Sequence, residues 1–398
     1  MRKRTCIIAA LSALACLPVY AASTKPLLPL PTPTTNLTAP ADPGHFTFVV
    51  AGDNRSTGHG YPMPKVLGVI CGEIGMLRPD FVFWTGDVIE GYGDTVAEAG
   101  AEYDTFLASV ALTDVPVFNA PGNHEYSTDP ALMPVYEKRM GPLYGSFDYG
   151  NSHFIGLDTT PLMPEGTLVG GTLDDAQWSW LEADLKANQD AKNIFVMMHH
   201  YVFGPPDPAT PDSDTGWRSV ADRDRLHALM VKYHVRAVFC SHDHLYWHGV
   251  KDGIDYYITG GAGAPLDATP DKGGFLHYLL IDVDGTQVTP QIFQPWHLEV
   301  NYPDGDGGGA TTERAWVSNT NDFPVTTKHI VFHMASLPAG QTWAVTAGTA
   351  YKKKTESVPA QIVSVTPVGT GVEVVATVTA APARTTEISV HPATTITK

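Results

Sequence analysis

The stretch FVVAGDNRS, residues 48–56, decides how the chain folds. Its apolar residues Phe48, Val49, Val50 and Ala51 stop abruptly at Gly52 and Asp53, and Arg55 follows two residues later. The run from His45 to Ala51 reads as a buried strand. A carboxylate at the mouth of such a strand needs partners, because burying a charge is costly unless it is paired or bound to a metal.

Working outward, the same kind of ending recurs. A strand over 81–85 finishes at Gly86 and Asp87, and one over 115–118 gives way to Gly122-Asn123-His124-Glu125. The strand over 193–198 runs into His199 and His200, and that over 235–240 into Ser241-His242-Asp243-His244. Between them lie helical periods over 64–77, 95–110, 173–185 and 223–233; Val66, Ile70, Ile74 and Leu77 show the spacing. A hairpin is expected over 146–158, turning at Gly150-Asn151, with further strands over 256–259, 278–283 and 287–293. Alternating strands and helices predict an α/β core. In open α/β sheets, ligands bind outside the carboxyl ends of the strands. Two Asp, one Asn and several His at that edge offer oxygen and nitrogen donors that suit zinc, manganese, iron or cobalt better than calcium. Any one of these endings alone reads as an ordinary turn or a hydrogen-bonded structural histidine. Five in order, each at a strand end, do not.

The ordered set Gly52-Asp53, Gly86-Asp87, Gly122-Asn123-His124-Glu125, His199 and His242-Asp243-His244 resembles the calcineurin-like metallophosphoesterase superfamily over about residues 45–297. That resemblance implies a four-layer α/β/β/α sandwich holding two divalent or trivalent metal ions (Mn, Fe, Zn or Co). It also implies hydrolysis of phosphate esters by a hydroxide that the metal pair activates. Carried over, Asp87 bridges the metals, Asp53 and His244 complete the first, and Asn123, His199 and His242 hold the second. His199 is preferred to His200 because it directly follows the apolar strand. His124 is expected to protonate the leaving oxygen, the alternative being a capping or supporting role.

The pattern departs from the family in places. The first motif commonly reads Asp-x-His, whereas here it is Asp53-Asn54-Arg55. A guanidinium has no lone pair for a metal, so Arg55 cannot replace the imidazole. Three readings are open: Arg55 binds the substrate phosphate, it forms a salt bridge on the rim, or the first metal site is weakened. Purple acid phosphatases carry a tyrosine three residues after the bridging Asp; this chain has Glu90 there, with Tyr92 two further on. Glu90 is either a substitute oxygen ligand or a plain loop residue. Ser241 stands where the family usually has glycine. His59 and His248 are further candidates whose spacing compels no role. The Pro- and Asp-rich segment 204–217 reads as a lid or substrate wall.

Residues 1–22 read as a signal peptide. Arg2, Lys3 and Arg4 precede the apolar run Cys6 to Val19, and Ala21 and Ala22 follow. The run is short for a transmembrane segment. Ala13-Leu14-Ala15-Cys16 weakly resembles a lipoprotein site, so a lipid anchor stays an alternative. Removing the signal takes the formal net charge from -17 to about -20, which argues against general nucleic-acid binding. Residues 23–44 read as an exposed Pro/Thr-rich linker and 45–304 as the metallophosphoesterase domain. After the glycine-rich break at 304–309, residues 311–398 read as an all-β, sandwich-like domain. Beyond the signal only Cys71 and Cys240 remain, either paired or buried separately.

The expectation is therefore an exported, periplasmic or extracellular metal-dependent phosphoesterase. Monoesters are favoured over diesters if Arg55 binds a doubly charged terminal phosphate. The alternatives are a non-catalytic cell-surface binding protein that kept the fold, or a purple-type iron enzyme.

Overall fold

The computed structural model describes residues 25–126, 129–206, 216–305, 310–351 and 354–393. The signal segment 1–22 and the centre of the loop 204–217 lie outside them.

The first half of the core runs β1 (His45–Ala51), α1 (Val66–Leu77), β2 (Phe81–Trp84), α2 (Val96–Val110), β3 (Val117–Asn119) and α3 (Met133–Met140). The second half runs β4 (Gly145–Tyr149), β5 (Ser152–Gly156), α4 (Asp175–Ala187), β6 (Asn193–His200), α5 (Val220–Lys232), β7 (Ala237–Ser241), β8 (Tyr246–Lys251) and β9 (Ile254–Thr259). Then β10 (Tyr278–Asp284) and β11 (Gln287–Phe293) return to the first sheet, whose order is β11-β10-β1-β2-β3. The second sheet is ordered β4-β5-β6-β7-β9-β8. Strands β1, β2 and β3 are mutually parallel, as are β5, β6, β7 and β9, so their carboxyl ends share one edge in each sheet.

Period-two alternation on doubly buried strands builds the layers. In β1, Phe46, Phe48 and Val50 enter the cluster between the two sheets, while Val49 and Ala51 face the helices. In β2, Phe81 and Phe83 take the inner face, against Phe118, Phe154, Phe195 and Phe239. Helices α1 and α2 cover the outer face of the first sheet, and α4 and α5 that of the second through Trp178, Leu181, Leu226 and Met230. The result is the α/β/β/α sandwich. Helix α2 opens on a capping box in which Thr95 and Glu98 exchange side-chain to backbone hydrogen bonds. Cys71 and Cys240 are buried and unpaired, in separate clusters on opposite outer faces.

Beyond β11 the described residues hold strands and no helix. They are β12 (Leu298–Asn301), β13 (Glu313–Asn319), β14 (Val325–Ala335), β15 (Trp343–Tyr351), β16 (Lys354–Ser357), β17 (Ala360–Val368), β18 (Gly371–Ala380) and β19 (Arg384–Pro392). Two antiparallel sheets form, β12-β13-β19-β15-β16 and β14-β18-β17. Val317, Ile388, Phe332 and Val374 share one apolar cluster from the two sheets.

Two features differ from the sequence reading. The segment 23–44 is exposed or half-buried over 33–44, as a linker would be, but nearer its start Leu27 and Leu30 are buried, and their N–H groups donate to the Ser146 and Val117 carbonyls at 3.0 and 2.7 Å. Two leucines spaced among prolines are enough to lay an extended segment onto apolar surface. Strand β12 falls inside 45–304 by sequence but pairs with β13, so its hydrogen bonds belong to the C-terminal sheet. That sheet region also shares a continuous core with α1, where Glu73 accepts the Trp296 N–H at 2.7 Å and the Tyr278 hydroxyl at 2.9 Å. Among the described residues, no helix is long and apolar enough to cross a membrane.

Candidate metal centre

The strand ends bring their side chains together through unusual backbone. Asp53 (φ 59°), Asp87 (φ 53°) and His242 (φ 77°) all occupy the left-handed region. Few residues other than glycine do so, and Asp and His are among the more tolerant. Gly122 supplies the space: a Cβ there would collide with the Asp87 carboxylate. Glu125, which the sequence reading quoted without a role, holds the turn. Its fully buried carboxylate accepts the N–H groups of Asp87 at 2.9 Å and Val88 at 2.7 Å, and also that of Gly122.

His199 continues the inner row of β6 after Phe195 and Met197, and its ring emerges between the sheets. Its Nδ1 donates to the Thr85 carbonyl at 2.9 Å, which leaves Nε2 facing Asp87 Oδ1 at 3.3 Å. Ser241 is more than a small residue in this turn, since its hydroxyl donates to the same Thr85 carbonyl at 2.7 Å. His200 also lies beside the cluster, its ring 4.4 Å from that of His242 and 5.1 Å from that of His199, with Nδ1 meeting Thr159 Oγ1 at 2.8 Å.

Around His199 Nε2 the acceptors converge. Asn123 Oδ1 lies 3.0 Å from His199 Nε2 and 3.0 Å from His242 Nδ1, and the two ring nitrogens are 3.2 Å apart. Tyr92 orients the Asn123 amide, because Asn123 Nδ2 donates to its hydroxyl at 3.3 Å. Beside this group, Asp53 Oδ2 accepts the His242 N–H at 2.9 Å, while Asp53 Oδ1 is buried without a hydrogen-bond partner. His244 donates Nδ1–H to the Pro265 carbonyl at 2.5 Å and turns Nε2 towards Asp53 Oδ1 at 3.8 Å.

This set fits metal cations. Lone pairs of Asp53, Asp87, Asn123, His199, His242 and His244 face one another with few protons between them. Asp53, Asp87 and His199 each offer an atom within 4.8 Å of the others. The electrostatics point the same way. Burial raises the Asp53 carboxyl to about 6, against the pull of His244 and His199. Burial alone would lower His199, yet the Asp87 carboxylate outweighs it and lifts the ring to about 9. Burial, then the His199 charge, pushes His242 down to about 3. The cluster favours positive charge near Asp87. Asp53 and His244 would hold one ion, Asn123, His199 and His242 a second, with Asp87 between them.

His124 donates Nδ1–H to the Glu90 main-chain carbonyl, so its orienting partner is backbone rather than a carboxylate. That leaves Nε2 free, 3.8 Å from Asp87 Oδ2. Arg55 points inwards, with Nε 4.0 Å from Asp87 Oδ2, buried and without a hydrogen-bond partner. Its Nη1 donates to Glu90 Oε2 and the Ser56 carbonyl, both at 3.0 Å. Glu90 is thus committed to Arg55. His248 pairs with Asp255 at 2.7 Å, and His59 with Asp94 at 2.7 Å, both outside the cluster.

A model of the family described as calcineurin-like phosphoesterase matches residues 46–246, half of the chain. The chain belongs to this family, whose members are metal-dependent hydrolases of phosphate esters that use two metal ions. Among curated proteins, it is 29% identical over 178 residues to the probable glycerophosphodiester phosphodiesterase GpdQ of Arcobacter nitrofigilis. That alignment covers 42% of this chain and 57% of the relative, so the chain matches less than two thirds of the relative's length. Similar solved structures include a dimetal phosphatase from Danio rerio (16% identity, TM-score 0.47, covering 63% of this chain and 99% of that one). Another is GAP50, the anchor in the inner membrane complex of Plasmodium (12% identity, TM-score 0.45, covering 63% and 84%).

Proposed function

We propose that the protein is an exported phosphoesterase that hydrolyses phosphate diesters at the strand-end cluster. The observation that carries this reading is the buried Asp53 Oδ1, without a hydrogen bond, among converging ligand atoms of Asp87, Asn123, His199, His242 and His244. A metal pair held there supplies an acidified water and neutralises charge on the phosphate oxygens. The chain's own residues do the rest. Thr85, Ser241 and Pro265 fix the imidazole tautomers, Tyr92 fixes the Asn123 amide, and Glu125 fixes the loop carrying Asp87. His124, its Nδ1–H held by the Glu90 carbonyl, carries the proton on Nε2 to the leaving oxygen as the imidazolium, a form that burial disfavours and the Asp87 carboxylate at 3.8 Å favours.

A diester is preferred for two reasons. The case for a monoester rests on Arg55 meeting a doubly charged phosphate, but Glu90 already offsets that guanidinium at 3.0 Å. The similarity to a probable glycerophosphodiester phosphodiesterase supports the same choice. Export is supported by the basic, apolar and small-residue succession of residues 1–22.

The test uses the mature chain loaded in turn with Mn, Zn, Co or Fe. Metal per chain is measured, and turnover of bis-p-nitrophenyl phosphate is compared with that of p-nitrophenyl phosphate. Two ions per chain at the strand ends and a kcat/KM higher for the diester are expected. Fewer than one bound ion with no turnover would sink the enzyme reading, and a monoester preference would sink the diester choice. N-terminal sequencing of the processed chain checks export.

A further inference from the structure

A second cluster of metal-ligating groups lies outside the strand-end site, where the loop after β1 meets the N-terminus of α2. His59, Asp94 and Glu98 each offer a ligand atom within 4.8 Å of the other two. His59 Nδ1 meets Asp94 Oδ1 at 2.7 Å. Glu98 is held by its capping box, its Oε2 accepting both the Thr95 N–H and hydroxyl at 2.8 Å. Acidic residues at a helix N-terminus are common and by themselves indicate nothing. Asp94 is the exception here. Its side chain is 1% exposed, yet Oδ2 is buried without any hydrogen-bond partner. A carboxylate oxygen buried without a hydrogen bond is costly unless a cation or donor meets it.

The surroundings add negative charge. Glu102 and Glu90 act on one another and on Asp94, and Asp94, Glu98 and Glu102 all act on the His59 ring. Arg55 supplies a positive charge nearby, but it is committed to Glu90. His59 also packs over Gly93, whose φ of 87° lets the loop turn beneath the ring.

We propose that His59, Asp94 and Glu98 form a further divalent-cation site, separate from the strand-end cluster. One imidazole and two carboxylates select a borderline ion such as zinc or manganese over calcium. The ion takes the place of the proton shared by His59 Nδ1 and Asp94 Oδ1, so binding releases a proton and tightens as pH rises. Its effect is to tie the loop carrying Arg55 to the start of α2. It does not depend on what the strand-end cluster binds.

The experiment equilibrates the mature full-length chain with Zn²⁺ and counts zinc per chain by elemental analysis. Wild type is expected to hold one equivalent more than His59→Gln, whose side chain is 49% exposed, so the fold is not at stake. Asp94→Asn should show the same loss. Asp87→Asn should lose strand-end zinc and keep this equivalent. Equal zinc in wild type and His59→Gln overturns the proposal. If Asp87→Asn loses nothing, the strand-end reading fails, while the His59→Gln difference still decides this one.

Discussion

The Glu125 carboxylate accepts the main-chain N–H of Asp87 at 2.9 Å with one oxygen and that of Val88 at 2.7 Å with the other. The candidate bridging ligand therefore sits on a turn held by a buried acid rather than by sheet pairing. Glu125→Gln keeps one acceptor oxygen and sets an amide donor against a buried N–H. The expected outcome is a stability loss of about 1–3 kcal/mol in urea unfolding, with reduced metal content. An unchanged midpoint with full metal would refute this role.

Arg55 and Glu90 form one neutral unit with an N–O distance of 3.0 Å, both largely buried. Arg55→Ala strands the Glu90 carboxylate and should cost about 1–3 kcal/mol, while adding Glu90→Gln should restore most of it. Chemical denaturation of the two single variants and the double variant closes the cycle. Should Arg55→Ala instead leave stability intact and raise only KM, the guanidinium would be a substrate contact after all.

Tyr92 takes the Asn123 amide on its hydroxyl at 3.3 Å and meets the His124 ring edge-on at 4.5 Å. Tyr92→Phe should leave the fold unchanged and weaken metal binding by roughly 10-fold, the lower end for a residue that orients a ligand. Competition with a chromophoric chelator measures it. No change in affinity would mean that the His199 and His242 contacts alone orient the amide.

Glu73, on α1 facing Tyr278 and Trp296, has its carboxyl raised by burial from 4.5 to about 7. The folded chain holds this proton more tightly than the unfolded chain, so its contribution is present at low pH and is lost as pH rises from about 4.5 to about 7. By this group the loss is about 2–3 kcal/mol. Asp158, raised by burial to about 7, acts with the same sign. Thermal midpoints measured from pH 4.5 to 7.5 should show Glu73→Gln gaining on the wild type as pH rises, because the variant lacks this loss. An identical pH dependence in the two proteins would contradict the assignment.

Much of the core was legible because doubly buried parallel strands are written as short apolar runs. The expected strand over 45–51 coincides with β1, and the expected hairpin over 146–158 turns at Gly150 between β4 and β5. Helix α3 went unread, since Met133–Met140 is short and follows Pro130. The packing of Leu27 and Leu30 was hidden by the prolines around them, because composition reports chain stiffness and not what surface lies beneath.

The order of donors at the strand ends is a property of the sequence by itself; the preference for His199 over His200 rests on its directly following the apolar strand, and in the fold both rings stand beside His242. Four relationships belong to the tertiary structure alone: Glu125 under Asp87, Tyr92 on Asn123, Arg55 neutralised by Glu90, and Asp94 buried beneath His59. Each depends on which loops meet once two sheets have packed, and on how much water that packing removes from a carboxylate. Neither quantity is local, so no spacing along the chain encodes it.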